Sequence, residues 1–223
     1  MRLLLHAVAT TEPVAQPPVG LRGQPLIVVR HAEMSAYASR FDTPVEHFGR
    51  ADLLAHHDIV SGLSAQIDVL PARFPTWLAD EDALRGELER RQADFGAALE
   101  RVRGRVEIAV TVLWADKPDD QRPPEAPTPG RKYLLGRQQA FTGSDKRRAR
   151  GRQLADELEH LVGDDLVEIR HQICPSTTVA LSSAVLVPRA SAEDVKTRIP
   201  RAEQDVRILI NGPWPPYTFA DVV

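Results

Sequence analysis

This chain of 223 residues has a single cysteine, Cys174, so it cannot form an internal disulfide and it fits a reducing compartment. It has no run of eighteen apolar residues, which predicts that no helix spans a membrane. The formal net charge is only -3, so no overall charge favours binding to nucleic acid or to an anionic membrane. Together these absences predict a soluble intracellular protein.

The common sequence signatures of catalytic and metal sites are also missing. There is no glycine-rich phosphate loop, no CxxC and no HExxH, and Gly62-Leu63-Ser64 lacks the second glycine of a nucleophile elbow. The densest polar cluster is His56-His57-Asp58, but adjacent residues on a helix point about 100° apart and do not converge on one metal ion. We interpret that cluster as a helix-start or surface feature, and we predict no catalytic residue, metal or cofactor.

Hydrophobic periodicity predicts strands and helices of mixed order in the first hundred residues. A helix near residues 52–66 is expected to bury Leu53, Leu54, Ile59, Val60 and Leu63. Asp80 is the predicted N-cap of one long helix that reaches Arg103 and ends at Gly104. Strands are predicted at residues 2–10, 26–29 and 68–74, whereas residues 33–50 show no assignable pattern.

The pattern after Gly104 is more regular. Strands are predicted at residues 106–114, 165–173, 178–187 and 205–211, and helices at 132–161 and between Ser191 and Pro200. Residues 116–130 are predicted to form a polar, proline-rich loop. The resulting order β-α-β-β-α-β is ferredoxin-like. We therefore predict an α+β protein with two domains: an N-terminal α+β domain (1–103) and a ferredoxin-like domain (104–223) with an extended tail.

The tail is the run Asn211-Gly212-Pro213-Trp214-Pro215-Pro216-Tyr217-Thr218-Phe219. Its prolines fix φ and donate no ladder hydrogen bonds, which excludes a helix or a central strand. Three aromatic side chains in water would form an exposed apolar patch, so we expect the tail to pack against the protein or a partner. Trp214-Pro215 is a candidate cis peptide because a prolyl amide has only a weak trans preference.

This tail resembles the C-terminal signature of the GvpL/GvpF family of gas vesicle accessory proteins, in which Gly-Pro-Trp-Pro-Pro-Tyr precedes a small hydroxyl residue and Phe. Two other segments are similar to that family: Leu70-Pro71-Ala72-Arg73-Phe74, after an amphipathic helix, and Gly130-Arg131-Lys132-Tyr133-Leu134, at the start of a long helix. Pro75 stands where the family usually has glycine. The resemblance implies the same ferredoxin-like arrangement for the C-terminal half.

Seven side chains are candidates for partner binding or for structural roles: Trp214, Tyr217, Phe219, Arg73, Lys146, Arg147 and Arg148. Arg73 lies among apolar strand residues, so we expect it to be buried and paired with a carboxylate, or else to contact a partner. The aromatic residues would clasp the tail to its own domain or dock it on another protein. The basic run 146–152 is either a solvated helix face or a contact for an acidic partner.

The resemblance implies an accessory protein that binds the small hydrophobic shell protein and supports nucleation or assembly of the gas vesicle wall without catalysis. Its implied partners are the shell protein and other gas vesicle accessory proteins, with no nucleic acid and no membrane. Its implied location is the gas vesicle and the cytoplasm. The residue patterns themselves leave two further classes open: a small-molecule-binding enzyme and an RNA-binding module of ferredoxin-like fold.

Overall fold

The computed structural model describes residues 2–43, 45, 47–115, 129–174, 176–203 and 205–221, with side chains left out at 129–143 and 203. The fold is mixed α+β with two antiparallel sheets. The predicted proline-rich loop and the Gly130–Leu134 block lie outside the described residues, except for backbone from residue 129 onward. Two compact units are present, one formed by Met1–Glu107 with Pro213–Val223 and the other by Ile108–Gly212.

This division groups the last residues of the tail with the N-terminal part of the chain, whereas the sequence-based division grouped them with the second domain. The predicted boundary at residue 103 stays a prediction.

The first unit is built on a four-stranded sheet. Its strands are β1 (Arg2–Thr10), β2 (Leu26–His31), β3 (Met34–Phe41) and β4 (Val69–Leu78), in the order β2-β3-β1-β4. Helices α1 (Arg50–Ser64), α2 (Glu81–Arg90) and α3 (Gln92–Val102) complete it. β1 is buried along nearly its whole length because β3 and β4 pair with its two edges. A core cluster that includes Leu4, Tyr37, Val60 and Leu63 joins α1 to this sheet.

The pairing of β1 is interrupted at His6. Leu5 pairs with Ala38 and Ala7 with Tyr37, so His6 is an extra residue in the ladder with β3. On the other edge, Leu5 pairs with Thr76 and Ala7 with Pro71, so residues 72–75 of β4 leave the ladder. Such bulges bend a strand and redirect side chains.

Most of the second sheet lies in the second unit. Its strands are β5 (Arg105–Trp114), β6 (Glu168–Ile173), β7 (Val179–Pro188), β8 (Ala202–Glu203) and β9 (Val206–Trp214), in the order β6-β7-β5-β9-β8. The helices are α4 (Pro129–Val162) and α5 (Ala192–Arg198). α4 lies against β6 and β7. No helix among the described residues is both long enough and apolar enough to cross a lipid bilayer.

Several predictions of local structure need correction. The long helix after Asp80 is broken at Arg91 into α2 and α3, because Arg91 has φ -112° and ψ 22°. β3 occupies part of the segment that had no assignable pattern. β9 continues through Trp214, beyond the predicted end at Asn211. The cis peptide bond found in the described residues is Phe74-Pro75, so the prediction for Trp214-Pro215 was wrong.

Candidate functional site

The first unit contains a groove of about 740 Å³, and most of its exposed lining is apolar. α1 forms one wall, the bulged segment of β4 forms the floor, and the tail forms the other wall. The residues that contribute are Leu53, Leu54, His56, His57, Pro71, Ala72, Arg73, Phe74, Tyr217, Ala220 and Asp221. Two of the three sequence blocks that carry the family resemblance therefore meet at one groove.

The floor of the groove exists because β4 leaves its ladder with β1. Residues 72–75 have no partner in β1, and Phe74 packs instead against the rings of Phe48 and His56, each with a centroid distance of 4.9 Å. Arg73 projects to solvent, so the expectation of a buried arginine was wrong. Its guanidinium has no ion-pair or hydrogen-bond partner among the residues that the structure describes, so the groove has a positive charge available to a ligand.

The α1 wall has two exposed leucines. Leu53 and Leu54 are 51% and 52% exposed, although the periodicity of α1 predicted their burial. Leu53 lies seven residues before Val60 and therefore on the same helical face, but Val60 is fully buried in the core. Periodicity could not separate the two positions, because Leu53 is in the first turn of α1, where the helix borders the groove.

The tail wall is fixed to the first unit by buried contacts. Phe219 is fully buried, and Pro215 and Pro216 are buried beside it. The carboxylate of Glu107, which is 6% exposed, accepts hydrogen bonds from Thr218 N at 2.7 Å and Thr218 Oγ1 at 2.8 Å. Arg101 donates to the carbonyl oxygen of Phe219. The ring of Phe219 is therefore enclosed within the first unit and has no exposed surface.

Trp214 and Tyr217 both contact His57 on α1. The Trp214 and His57 rings meet edge to face with centroids 5.0 Å apart, and His57 Nδ1 lies 3.2 Å from the Tyr217 hydroxyl. Burial raises the pKa of Tyr217, and the carboxylates of Glu107 and Asp58 raise it further, so its hydroxyl stays protonated. Trp214 is still 37% exposed, which leaves part of its ring available to a partner.

A chain of buried polar groups lies beneath the groove. His56 Nε2 is 3.2 Å from the carbonyl oxygen of Ala72, His56 Nδ1 is 2.9 Å from His6 Nδ1, and His6 Nε2 is 2.6 Å from Ser39 Oγ. Ser39 Oγ also accepts from Leu21 N at 2.7 Å. Both imidazoles and Ser39 are 1% exposed or less. The interpretation of His56 as a surface residue was therefore wrong.

These contacts fix every proton in the chain when both imidazoles are neutral. Because a carbonyl oxygen only accepts, His56 must donate from Nε2, which makes its Nδ1 an acceptor. His6 then donates from Nδ1 and accepts at Nε2 from the hydroxyl of Ser39. Burial lowers the pKa of His6 to about 3, and burial lowers that of His56 to about 4, so neither is protonated at neutral pH. Sequence reasoning missed His6 and Ser39, since only tertiary pairing brings them to His56.

The basic candidates lie in the second unit on α4. Lys146 and Arg148 are exposed, whereas Arg147 is half-buried. Arg150 donates to Glu157 at 2.9 Å and to Asp205 at 3.3 Å, so this arginine is paired with carboxylates within the second unit. These side chains and the groove occupy different units, so they are separate candidate sites.

One polar trio in the second unit has the residue types of a hydrolase triad. His171 lies 2.8 Å from Ser183 Oγ through Nδ1 and 3.0 Å from Glu159 Oε1 through Nε2. Ser183 is only 4% exposed, so its oxygen cannot meet a substrate, and the trio instead joins α4 to β6 and β7. No group of three His, Cys, Asp or Glu side chains within the described ranges is arranged to bind a metal ion.

Comparisons with known proteins agree with the sequence resemblance. The family model described as gas vesicle synthesis protein GvpL/GvpF matches residues 3–221. Gas vesicle protein L of Streptomyces sp. (strain CB03234) is 31% identical, covering 91% of this chain and 86% of that protein. Gas vesicle protein L2 of Halobacterium salinarum (strain ATCC 700922 / JCM 11081 / NRC-1) is 30% identical, covering 75% of this chain and 70% of that protein.

Two solved structures share the fold. The crystal structure of the gas vesicle protein GvpF from Anabaena sp. PCC7120 superposes with a TM-score of 0.79 at 16% identity, covering 98% of this chain and 95% of that one. The structure of GvpF from Microcystis aeruginosa superposes with a TM-score of 0.75 at 15% identity, covering 98% of each chain. At these identities the superpositions establish the fold alone.

Proposed function

This chain belongs to the GvpL/GvpF family of gas vesicle synthesis proteins, and from that premise we propose that it binds the small hydrophobic shell protein during assembly of the gas vesicle wall. Its role is that of a non-catalytic accessory protein. It works at the gas vesicle, with the shell protein and other gas vesicle accessory proteins as partners. A subunit with a strongly apolar face needs a covering partner until it enters the wall.

The observation that carries this proposal is the groove between α1, β4 and the tail. Leu53 and Leu54 are about half exposed there, and burying the remaining area of each would contribute about 1 kcal/mol. Trp214 packs against His57, which lines the groove, and is of a residue type that dominates interface hot spots. Arg73 adds a cation that has no ion-pair partner among the described residues, which suits a partner segment with a carboxylate beside apolar side chains.

The second unit supports a finer description of the fold. Without the two-residue strand β8, its elements run β5-α4-β6-β7-α5-β9, and the sheet order β6-β7-β5-β9 places β5 and β7 at the centre. This arrangement supports a ferredoxin-like second domain that begins near residue 104, with the proline-rich tail extending from its last strand. In this proposal the second domain is a scaffold and not a catalytic centre.

Co-purification with the shell protein tests the proposal. Leu53→Asp and Leu54→Asp place a charge in the groove without disturbing buried packing, because both side chains are already half exposed. Val19→Asp is the matched control, since Val19 is an apolar residue of the same unit that is 71% exposed and lies outside the groove. We expect the intact chain and the control to retain the shell protein, and the two groove variants to lose it.

Arg73→Glu tests the charge of the groove in the same assay, and we expect weaker retention. Truncation before Gly212 is a poor test, because it removes the buried Phe219 and the partner of Glu107. If the groove variants retain as much shell protein as the intact chain, the groove is not the contact. If the intact chain retains none, direct binding to the shell protein is wrong.

A further inference from the structure

A second cavity, of about 470 Å³, lies within the second unit and has a cationic wall that the proposed function does not use. It is lined in part by Trp114, Lys146, Arg147, Arg150, Thr177 and Thr178. The carboxylate of Asp205 also lines it and, together with Glu157, pairs with Arg150, so these five groups have a net charge of +1 and Lys146 and Arg147 are left without an ion-pair partner among the described residues. Such a site favours a ligand with more than one negative charge.

The sequence builds this cavity through a close approach of α4 to the sheet. A Cβ on Gly151 would lie 2.9 Å from Ile173 Cγ2 and 3.3 Å from the carbonyl oxygen of Ala180, so glycine is what allows the helix to pack there. The turn of α4 just before Gly151 contains the three cations. Opposite them, backbone bonds from Trp114 N to Thr178 O and from Ala115 N to Asp205 O join the ends of three sheet segments.

The three cations differ in whether they have a hydrogen-bonding or ion-pair partner within the protein. Arg150 is held by Glu157 and Asp205. Lys146 and Arg147 have no ion-pair or hydrogen-bond partner in the part of the chain that the structure describes, although Arg147 Nε is buried. Buried donors in proteins are nearly always hydrogen-bonded. Arg147 lines the cavity and is only half-buried, so the exposed part of its guanidinium is placed to donate to an acceptor on a ligand.

We propose that this cavity binds a phosphate-bearing small molecule with at least two negative charges. The planar guanidinium of Arg147 matches the geometry of phosphate oxygens, Lys146 adds a second charge, and the threonine hydroxyls at the opposite wall are further donors. The volume lies in the range of small-molecule sites. The phosphates come either from a free oligophosphate or from a nucleotide, whose base would then contact Trp114.

Isothermal titration calorimetry on the full chain with sodium tripolyphosphate and with ATP tests the proposal and separates the two sources. Equal affinity for both means that the phosphates alone are recognised, whereas tighter binding of ATP means that the base contributes. Arg147→Gln should weaken binding by about tenfold or more, because a charge-assisted hydrogen bond is lost. Arg148→Gln removes the same charge from the same helix outside the cavity and should change the affinity less than about twofold.

Three results would overturn the inference. The first is an absence of binding heat with both ligands at millimolar concentration. The second is an equal loss of affinity in the Arg147 and Arg148 variants, which would mean unspecific attraction to the basic helix. The third is equal or tighter binding of a hexa-aspartate peptide, which would indicate an acidic protein partner instead. Circular dichroism melting of both variants checks that the fold is intact.

Discussion

Lowering the pH should destabilise this protein through the two buried imidazoles of His6 and His56. Their folded-state pKa values of about 3 and about 4 lie below the ordinary value of 6.5 because burial disfavours the charged ring. In the unfolded chain both rings take up protons as the pH falls below 6.5, whereas in the folded state they stay neutral. The stabilisation is therefore fully present above about pH 6.5 and is lost as the pH falls towards the folded-state values.

The size of the effect follows from the same pKa values. Between about pH 7 and about pH 5, proton uptake by one unfolded histidine lowers the free energy of unfolding by about 2 kcal/mol. The two histidines together give about 4 kcal/mol, which is a large share of the 5–15 kcal/mol that typically stabilises a domain. The carboxylate of Asp52 acts over a lower range of pH. Its hydrogen bonds with Arg22 lower its pKa from 3.8 to about 2, so its contribution to the free energy of unfolding is present above about pH 3.8 and is lost as the pH falls towards 2.

Urea unfolding at several pH values, followed by circular dichroism and by tryptophan fluorescence, measures this dependence. The double variant His6→Gln, His56→Gln is expected to be less stable at pH 7 but to show a nearly flat profile between pH 5 and 7. His160→Gln is the control, because it removes an exposed histidine of α4 that is not part of the buried pair. A steep profile that persists in the double variant would refute the assignment to these two rings.

Two further perturbations test packing described above. Gly151→Ala should destabilise the protein by about 1–3 kcal/mol, since the new methyl group would meet Ile173 and the backbone of Ala180. Gly96→Ala should stabilise α3 by about 0.5–1 kcal/mol, because a Cβ there would meet no described atom within 4 Å outside its own stretch of helix. A gain for both in urea unfolding would contradict the close approach of α4. Phe219→Ala should cost about 3–5 kcal/mol, since the ring is fully buried, and an unchanged melting temperature would mean that the tail is not part of the first unit's core.

Local rules predicted most elements of this chain because the hydrophobic patterns of its strands and helices are regular. β1 and β5 were predicted to within a residue, and Asp80 accepts the capping hydrogen bond from Ala83 N that its position predicted. β3 was missed because its residues are buried on both faces, which removes the alternation that identifies a strand. The break at Arg91 has no glycine or proline to mark it, so the two helices looked like one.

The groove could be predicted only in part. The tail and the Leu70–Phe74 block were recognised as distinctive, but nothing local indicated that they would meet Leu53 and Leu54. Arg73 was expected to be buried because its neighbours are apolar, and that inference failed since the bulge in β4 turns this residue outward. The pairing of His6 with His56 spans fifty residues and depends on another bulge, so no sequence pattern marks it.

The first unit is formed by two separate stretches of the chain, and this limits how early it can fold during synthesis on the ribosome. Pro213–Val223 belongs to that unit but is translated only after the whole of Ile108–Gly212. Until then a nascent chain has β1, β3 and β4 but lacks the phenyl ring of Phe219. The carboxylate of Glu107 also lacks the hydrogen bonds that it accepts from Thr218. The first unit therefore reaches its final form after the second has been synthesised. Nascent or prematurely terminated chains would expose an apolar pocket that chaperones and proteases can recognise.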